Sequence, residues 1–414
     1  LTDFTPFGIS LAILGLFFLY RLNRTWFWSS LLGLIITGPL FLTYADYPTN
    51  SPFLLSAIEQ FLLIPYFYFT IFLTFGLIFL AEFVSQKLSL FPGYFREKRE
   101  LFGLGVKLSF VILPLFLVSE NIIKVNLKET NLGDVLGYDV LSTTEPGAIL
   151  LLRDDTVTFT TQYVYYGLNV RPDVVIIQPG QMRNKYYRDH LRSKYPNLLV
   201  PENVDKKDVD DIGYMNFVYT KALVEANLSR FPIYSYGGER FSSDWKWVPL
   251  GILAKLYPED YKFSPEEYKV ENDKIWQRYK FSNYNPKIRY KQLVIEHMIG
   301  VYYFGRLNSA LFLKNTGDFK GALSEINKAI EIDSGNVEGW VEKAKISLLL
   351  NDCQLAKDSF SEAKKIDAKD MALLAGVVDY YKICQQDEVK AKEIEEIISK
   401  MRRPSELDIP LEKF

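Results

Sequence analysis

Three polar residues in a row, Asp154, Asp155 and Thr156, close the apolar run Ile149–Leu152 after a single arginine. Two carboxylates and a hydroxyl at such a point can bind a cation, a sugar hydroxyl or an acceptor peptide. The same residues can equally start a helix, where the unpaired N–H groups favour acidic side chains and a capping oxygen. Both readings stand on the residues alone. A second candidate is Glu59, an acid at the head of a long apolar stretch. A carboxylate there is costly unless it is paired, hydrated or functional. It reads as a contact to a lipid phosphate through a cation, as a contact to an acceptor, or as an interfacial group in water.

The elements that must position Asp154–Thr156 lie around them. The Pro146-Gly147 turn leads into Ile149–Leu152, which suits a strand buried on both faces. Thr156–Leu168 can be helical, with stop signals at Gly167 and Asn169. Arg171-Pro172-Asp173 turns the chain into Val174–Ile177, a second apolar run. Strand, crossover helix, strand is the unit of a parallel sheet. The acidic turn then lies at a strand's carboxyl end, where open α/β sheets bind ligands. Gln181–Tyr195 reads as a basic helix, with Lys185, Arg188 and Arg192 as a solvated face. Val209–Leu228 contains another helix, Ile233–Tyr236 a short strand, and Trp245–Leu256 a last apolar, aromatic segment. The alternation predicts a small α/β domain with an open, largely parallel sheet over residues 121–300.

Residues 1–120 have a different character. Phe7–Leu22, Trp26–Tyr44, Phe53–Phe83 and Phe102–Val118 are apolar runs that span or nearly span a hydrocarbon core of about 30 Å at about 1.5 Å per residue. They predict a multi-spanning region of four transmembrane helices. Arg21 and Arg24, then Lys87, Arg96, Lys98 and Arg99, mark two loops as cytoplasmic, while Ala45–Pro52 carries Asp46 and no Lys or Arg. This puts Leu1 and the whole carboxyl part on the extracytoplasmic side. The first residue is Leu1, not Met, and the chain reads as the back end of a longer one.

Residues 301–402 carry a repeat. Tyr303–Asn336 and Val337–Asp370 are blocks of one 34-residue period, with Ala322, Ile326 and Ala329 aligned to Ala356, Phe360 and Ala363. A third, slipped block runs from Met371 towards Met401. This is the tetratricopeptide (TPR) pattern, an all-α stack of helix pairs that binds partners on a concave face. Trp340, on the first helix of block two, is the partner-binding candidate. Residues 403–414 form a tail.

The totals exclude some classes. Net charge is −2, so nothing points to nucleic acid. Two Cys, Cys353 and Cys384, and two His make no zinc set of the usual spacing. Both cysteines fall in the repeats and read as buried free thiols, although one disulfide is possible. No phosphate-binding glycine loop occurs. Asn23 and Asn227 head glycosylation sequons, the second expected outside.

The acidic turn and the following segment resemble the GT-C-type protein O-mannosyltransferase-like membrane proteins. The family's turn reads Gly-Asp-Asn-Asp-Thr-Phe; here the places hold Asp154, Asp155, Thr156, Val157, Thr158 and Phe159, and the spacing on to Val170-Arg171-Pro172-Asp173-Val174 matches without a gap. Asp154, Thr156 and Val157 depart from the pattern, and Asp155 keeps it. After Glu59 the family often has Arg, where Gln60 stands here. The likeness covers Phe7 to about Pro258 and is sharpest over Ile149–Ile177. It implies transfer of a mannose-like sugar from a polyprenyl-phosphate carrier to a protein or glycan acceptor on the outer face. It also implies a catalytic acid upstream of Leu1, so no catalytic base is named in this chain. A divalent cation is a possible companion of the acidic turn, and the lipid bilayer and a lipid-linked sugar are the implied partners. The alternative is a non-catalytic membrane-anchored TPR scaffold.

Overall fold

The computed structural model describes residues 6–45, 60–88, 115, 118, 119, 122, 131–204, 212–237, 244–262, 264–283 and 293–401, and divides into two compact units.

In the first unit, α1 (Pro6–Leu22) and α2 (Arg24–Ile35) meet at Asn23, whose Oδ1 accepts from Trp26 N at 3.0 Å. One of the two sequon asparagines is therefore a helix cap. Pro39 lacks an N–H and clashes with the preceding turn. The chain absorbs it as a π-helical segment, Ile36–Leu40, before α3 (Phe41–Ala45). A 3-10 turn at Gln60–Leu62 leads into α4 (Leu63–Leu88). The described part of the third apolar run is thus helical, and Phe53–Glu59 lie outside the described residues. A side chain at Gly15 would strike the Phe72 carbonyl, and one at Gly76 would strike the Leu11 carbonyl, so α1 and α4 touch backbone to backbone. Small residues allow such approach where lipid offers no hydrophobic drive for packing. The outer faces stay apolar, with Phe17 and Leu63 both exposed. Two helices among the described residues, Arg24–Ala45 and Leu63–Phe83, are long and apolar enough to cross a membrane. Gly8–Leu22 is apolar but shorter. The fourth expected span, Phe102–Val118, lies outside the described residues save for isolated positions.

The second unit opens with α5 (Leu132–Thr143) and then builds β1 (Ile149–Leu151), α6 (Asp155–Gln162), β2 (Val175–Ile177), α7 (Lys185–Lys194), α8 (Ile212–Asn227) and β3 (Ile233–Ser235). A hairpin, β4 (Trp245–Leu250) and β5 (Leu253–Pro258), completes a five-stranded sheet of order β2-β1-β3-β5-β4. Strand β1 is parallel to β2 and β3, pairing Ile149 with Val175 and with Ile233. The hairpin is antiparallel to β3 and within itself. The sheet is therefore mixed rather than largely parallel. The segment Trp245–Leu256, expected as one element, folds back at Gly251, which sits at φ +60 and where an added Cβ would strike the Tyr279 hydroxyl. Only a residue without Cβ fits there.

Ile149, Leu151, Val175, Ile177 and Ile233 share one face of the sheet and bury with Met182, Leu191, Leu223 and Val224 of the α7–α8 side. By the strand alternation Leu150, Ile176 and Tyr234 take the opposite face. There α5 and α6 pack closely, since a side chain at Gly137 would meet the Thr160 carbonyl.

The Arg-Pro-Asp turn is a fastener. Arg171, at φ +54, donates from Nη1 to the Leu141 and Thr144 carbonyls and from Nη2 to the Glu145 carbonyl, at 2.9, 3.0 and 2.9 Å. It also grips Asp173 with two bonds of 2.8 Å, and Asp173 Oδ2 accepts from Gly147 N. One guanidinium thus satisfies the open carbonyl end of α5. That pairing holds the Asp173 carboxyl down at about 2.

The basic helix α7 corrects another expectation. Arg188 is buried, donates to the Met182 and Arg183 carbonyls at 2.8 Å and lies over the Tyr219 ring. Arg192 binds the Pro201 carbonyl. Only Lys185 of the three stands in solvent. Asn227 is fully buried too, its amide bonded to Leu199 N, Leu199 O and Leu223 O. An asparagine so held is no glycan acceptor.

After α9 (Pro265–Arg278) come α10 (Leu293–Asn315), α11 (Phe319–Ile332), α12 (Val337–Leu349), α13 (Cys353–Ile366), α14 (Met371–Tyr380) and α15 (Glu388–Met401). The caps repeat with the sequence period: Asp318 caps α11 as Asp352 caps α13, and Asn336 caps α12 as Asp370 caps α14. Gly317 and Asn351, at matched positions, both turn through positive φ. Ala322, Ala329, Ala356 and Ala363 are fully buried, as close helix pairs require. The cysteines are not free thiols: Cys353 and Cys384 form a disulfide with Cα atoms 5.7 Å apart, which ties the start of α13 to the π-helical end of α14.

These helices are welded to the sheet. Asp139 of α5, 1% exposed, accepts from Lys280 N, Phe281 N and the Tyr302 hydroxyl of α10 at 2.7, 3.1 and 3.0 Å. Burial nevertheless pushes its carboxyl up. Asn272 accepts from Gly251 N and donates to Ser309.

Candidate functional site

The site begins where β1 stops. Leu152 N still bonds the Ile177 carbonyl at 3.0 Å, and then the chain leaves the sheet. Asp154 takes the N-cap of α6, its Oδ1 accepting from Val157 N at 2.9 Å. The helix reading of the acidic turn is thus realised by Asp154, with Asp155 in the first turn.

The three adjacent candidates then part company. Asp154 and Thr156 face α10, where His297 meets both. His297 Nδ1 lies 3.1 Å from Thr156 Oγ1, and Nε2 lies 3.5 Å from Asp154 Oδ2. A carboxylate only accepts, so the proton belongs on Nε2, and Nδ1 accepts from the Thr156 hydroxyl. Burial lowers the His297 pKa, and the Asp154 charge partly opposes this. Tyr236, just past β3, belongs to the same end of the sheet; burial and then Asp154 push its hydroxyl pKa up. The strand order reverses between β1 and β3, so this group occupies the topological switch point.

Asp155 faces the other way, into a cleft of about 460 Å³ over the carboxyl ends of β1 and β2. Arg153, Thr158, Phe159, Gln178 and Asn216 line it with Asp155. Asn216, from the start of α8, is fixed by accepting from Arg183 N at 2.8 Å. The Tyr187 hydroxyl accepts from Gln178 N at 2.8 Å and pins the end of β2. Phe159 stands 61% exposed at the cleft while Val157, two residues before it, is fully buried. Among the described residues, one cation, one anion, amides and a ring make a site suited to a polar, uncharged ligand.

Glu59 lies outside the described residues. Trp340 is half-buried against the α12–α14 core, and its indole N–H donates to the Ser334 carbonyl at 2.9 Å. Among the described residues no three His, Cys, Asp or Glu side chains gather as a metal-binding group. Sequence reasoning missed His297 and Tyr236, which are distant in the chain from Asp154. A lone histidine in an apolar helical segment gave no local sign of its partner.

The chain is similar to the protein O-mannosyl-transferase TMEM260 of Mus musculus, with 24% identity over 173 residues. The matched stretch is 39% of this chain and 24% of that protein, so the likeness spans about a quarter of the relative. No known family profile matches the chain, and no solved structure does. The likeness is of glycosyltransferase type, and the two membrane-length helices agree with a membrane protein.

Proposed function

We propose that this chain serves a membrane glycosyltransferase that moves a mannose-like sugar from a polyprenyl-phosphate carrier to a protein or glycan acceptor on the extracytoplasmic face. The similarity to a protein O-mannosyl-transferase carries this reading. Three observations support it. Apolar helices of membrane length precede the α/β unit. A disulfide ties two repeat helices, as suits an oxidising compartment. A polar cleft opens at the carboxyl ends of the strands, where such sheets take ligands. In this reading the GT-C-type membrane part handles the lipid-linked donor, with Glu59 near the carrier phosphate and a divalent cation as its companion. Asp155 contacts the acceptor, and the helix pairs act as tetratricopeptide repeats that dock a partner near Trp340. No described residue is assigned as the catalytic base.

The test is a transfer assay on membranes containing the full gene product, with a radiolabelled polyprenyl-phosphate mannose and a Ser/Thr-rich peptide. Transfer that falls at least about tenfold in Asp155→Asn, a loss of about 1.4 kcal/mol in transition-state binding, supports the reading. Absence of transfer, with normal membrane insertion, would refute it. The fusion of sheet and helix pairs through Asp139 and Tyr302 would then favour the scaffold, which presents both on one body.

A further inference from the structure

We infer that the cleft over β1 and β2 is a binding site for a neutral carbohydrate, with Phe159 as its stacking platform. The inference goes beyond the transferase reading, because a scaffold can also hold a glycan; only the inclusion of mannose among the probes rests on that reading.

The charges argue first. Among the described residues Arg153 and Asp155 supply one charge of each sign, with no surplus cation for a phosphate. The amino end of α6, the usual place for an anion, is filled by the chain's own Asp154. The described lining therefore favours a neutral ligand over a lipid-phosphate head group. The remaining polar side chains of the lining are Thr158, Gln178, Gln181 and Asn216, which both donate and accept. Sugar hydroxyls also do both, in pairs spaced for amide and carboxylate groups. Asn216 already gives its Oδ1 to Arg183 N, which leaves the amide N–H groups for a ligand oxygen.

Phe159 completes the match. An exposed aromatic ring at the edge of a polar cleft offers an apolar face that a ligand can cover. The C–H face of a hexose is such a surface, and it brings hydroxyls at its rim. Tyr163 stands one turn further on the same face of the helix and is also half exposed, so the platform continues past the cleft. The walls are fixed beforehand, by Leu152 N on the Ile177 carbonyl and by Tyr187 on Gln178 N. A prearranged site loses little entropy on binding a small polar ligand.

The structure also supplies a clean way to close the cleft. Gly180 lines it, does not require a left-handed backbone, and an added Cβ would meet nothing within 4 Å. Gly180→Trp therefore adds bulk at the wall of the cleft without a backbone clash. The experiment is saturation-transfer NMR and calorimetry on the whole chain in nanodiscs, with mannobiose, cellobiose and lactose as probes and a Ser/Thr-rich peptide as competitor. At least one disaccharide is expected to bind saturably. Phe159→Ala should weaken it about tenfold, and Gly180→Trp should abolish it, both with unchanged melting temperature. No disaccharide binding, or binding indifferent to both variants, would overturn the inference. So would a peptide that binds alone and is blocked by Gly180→Trp. Sugar transfer without disaccharide binding would sink this site and leave the transferase reading. Binding without transfer would do the reverse.

Discussion

Replacing Arg171 tests whether the Arg-Pro-Asp turn is a fastener or part of the chemistry. The side chain makes three bonds to the carbonyl end of α5 and two to Asp173. A hydrogen bond from a charged donor contributes roughly 1.5–3 kcal/mol when sheltered. Arg171 is 27% exposed and Asp173 is 40% exposed, so the pair itself counts for little and each carbonyl bond for the low end of that range. Arg171→Ala should then cost about 4–5 kcal/mol, which is roughly 8–20 °C of melting temperature for a unit of this size. Arg171→Lys keeps the charge but not the planar fork, and should lose about 2 kcal/mol. Arg171→Gly removes the same bonds yet relieves the positive φ, and should recover about 1 kcal/mol over the alanine variant. The assay is urea unfolding followed by the fluorescence of Trp245, Trp247 and Trp276. An alanine variant within about 1 kcal/mol of wild type, or a lysine variant equal to wild type, would refute the reasoning. Since Asp173 titrates at about 2, its share of stability is complete above the ordinary carboxylate range and is lost as pH falls through that value.

Other outcomes follow from the same geometry. His297 has a folded pKa below its ordinary value, so its contribution is complete above about pH 6.5 and is lost as pH falls through the folded pKa. His297→Gln should flatten the fall in melting temperature between about pH 7 and 5; an unchanged slope would refute the assigned neutral state. Asn227→Ala should cost about 2–3 kcal/mol by stranding the Leu199 and Leu223 groups. Treating the wild-type chain with a peptide N-glycosidase should leave the mass of the Asn227 peptide unchanged. Both cysteines should resist alkylation until reduced, and Cys353→Ser should cost about 2–4 kcal/mol for a bridge across 31 residues; free labelling of native chain would contradict the bridge.

Much of the architecture was legible because it is local. Strand, capped helix and strand at Ile149–Ile177 show as apolar runs around an acidic cap, and the caps at Asp318 and Asp352 follow a visible period. Long-range partners were not. Nothing near Asp154 announces His297, and nothing near Arg188 shows that Tyr219 will cover it. The hairpin was hidden because Trp245–Leu256 is apolar throughout, and only the positive φ demanded at Gly251 splits it. The cysteine pairing depends on how the third helix pair folds back, which composition does not encode. Within the candidate site, Asp155 was legible, but its separation from Asp154 and Thr156 comes from the helical turn that points neighbours apart.

The Asp139 anchor bears on how this chain can be taken apart. Its carboxylate sits in α5, yet its partners are the Lys280–Phe281 backbone and Tyr302 of α10. A protein cut at residue 300, where the repeats begin by sequence, would strip Tyr302 away and leave the buried Asp139 carboxylate one bond short. The turn at Gly317, after α10, is open, yet it too is bridged, by Lys269 to Asp318 and by the buried pair of Arg306 and Glu325, both at 2.7 Å. Any exchange of the helices after α10 among such chains should therefore keep Asp318 and Glu325 matched to Lys269 and Arg306, with α10 inherited along with the sheet.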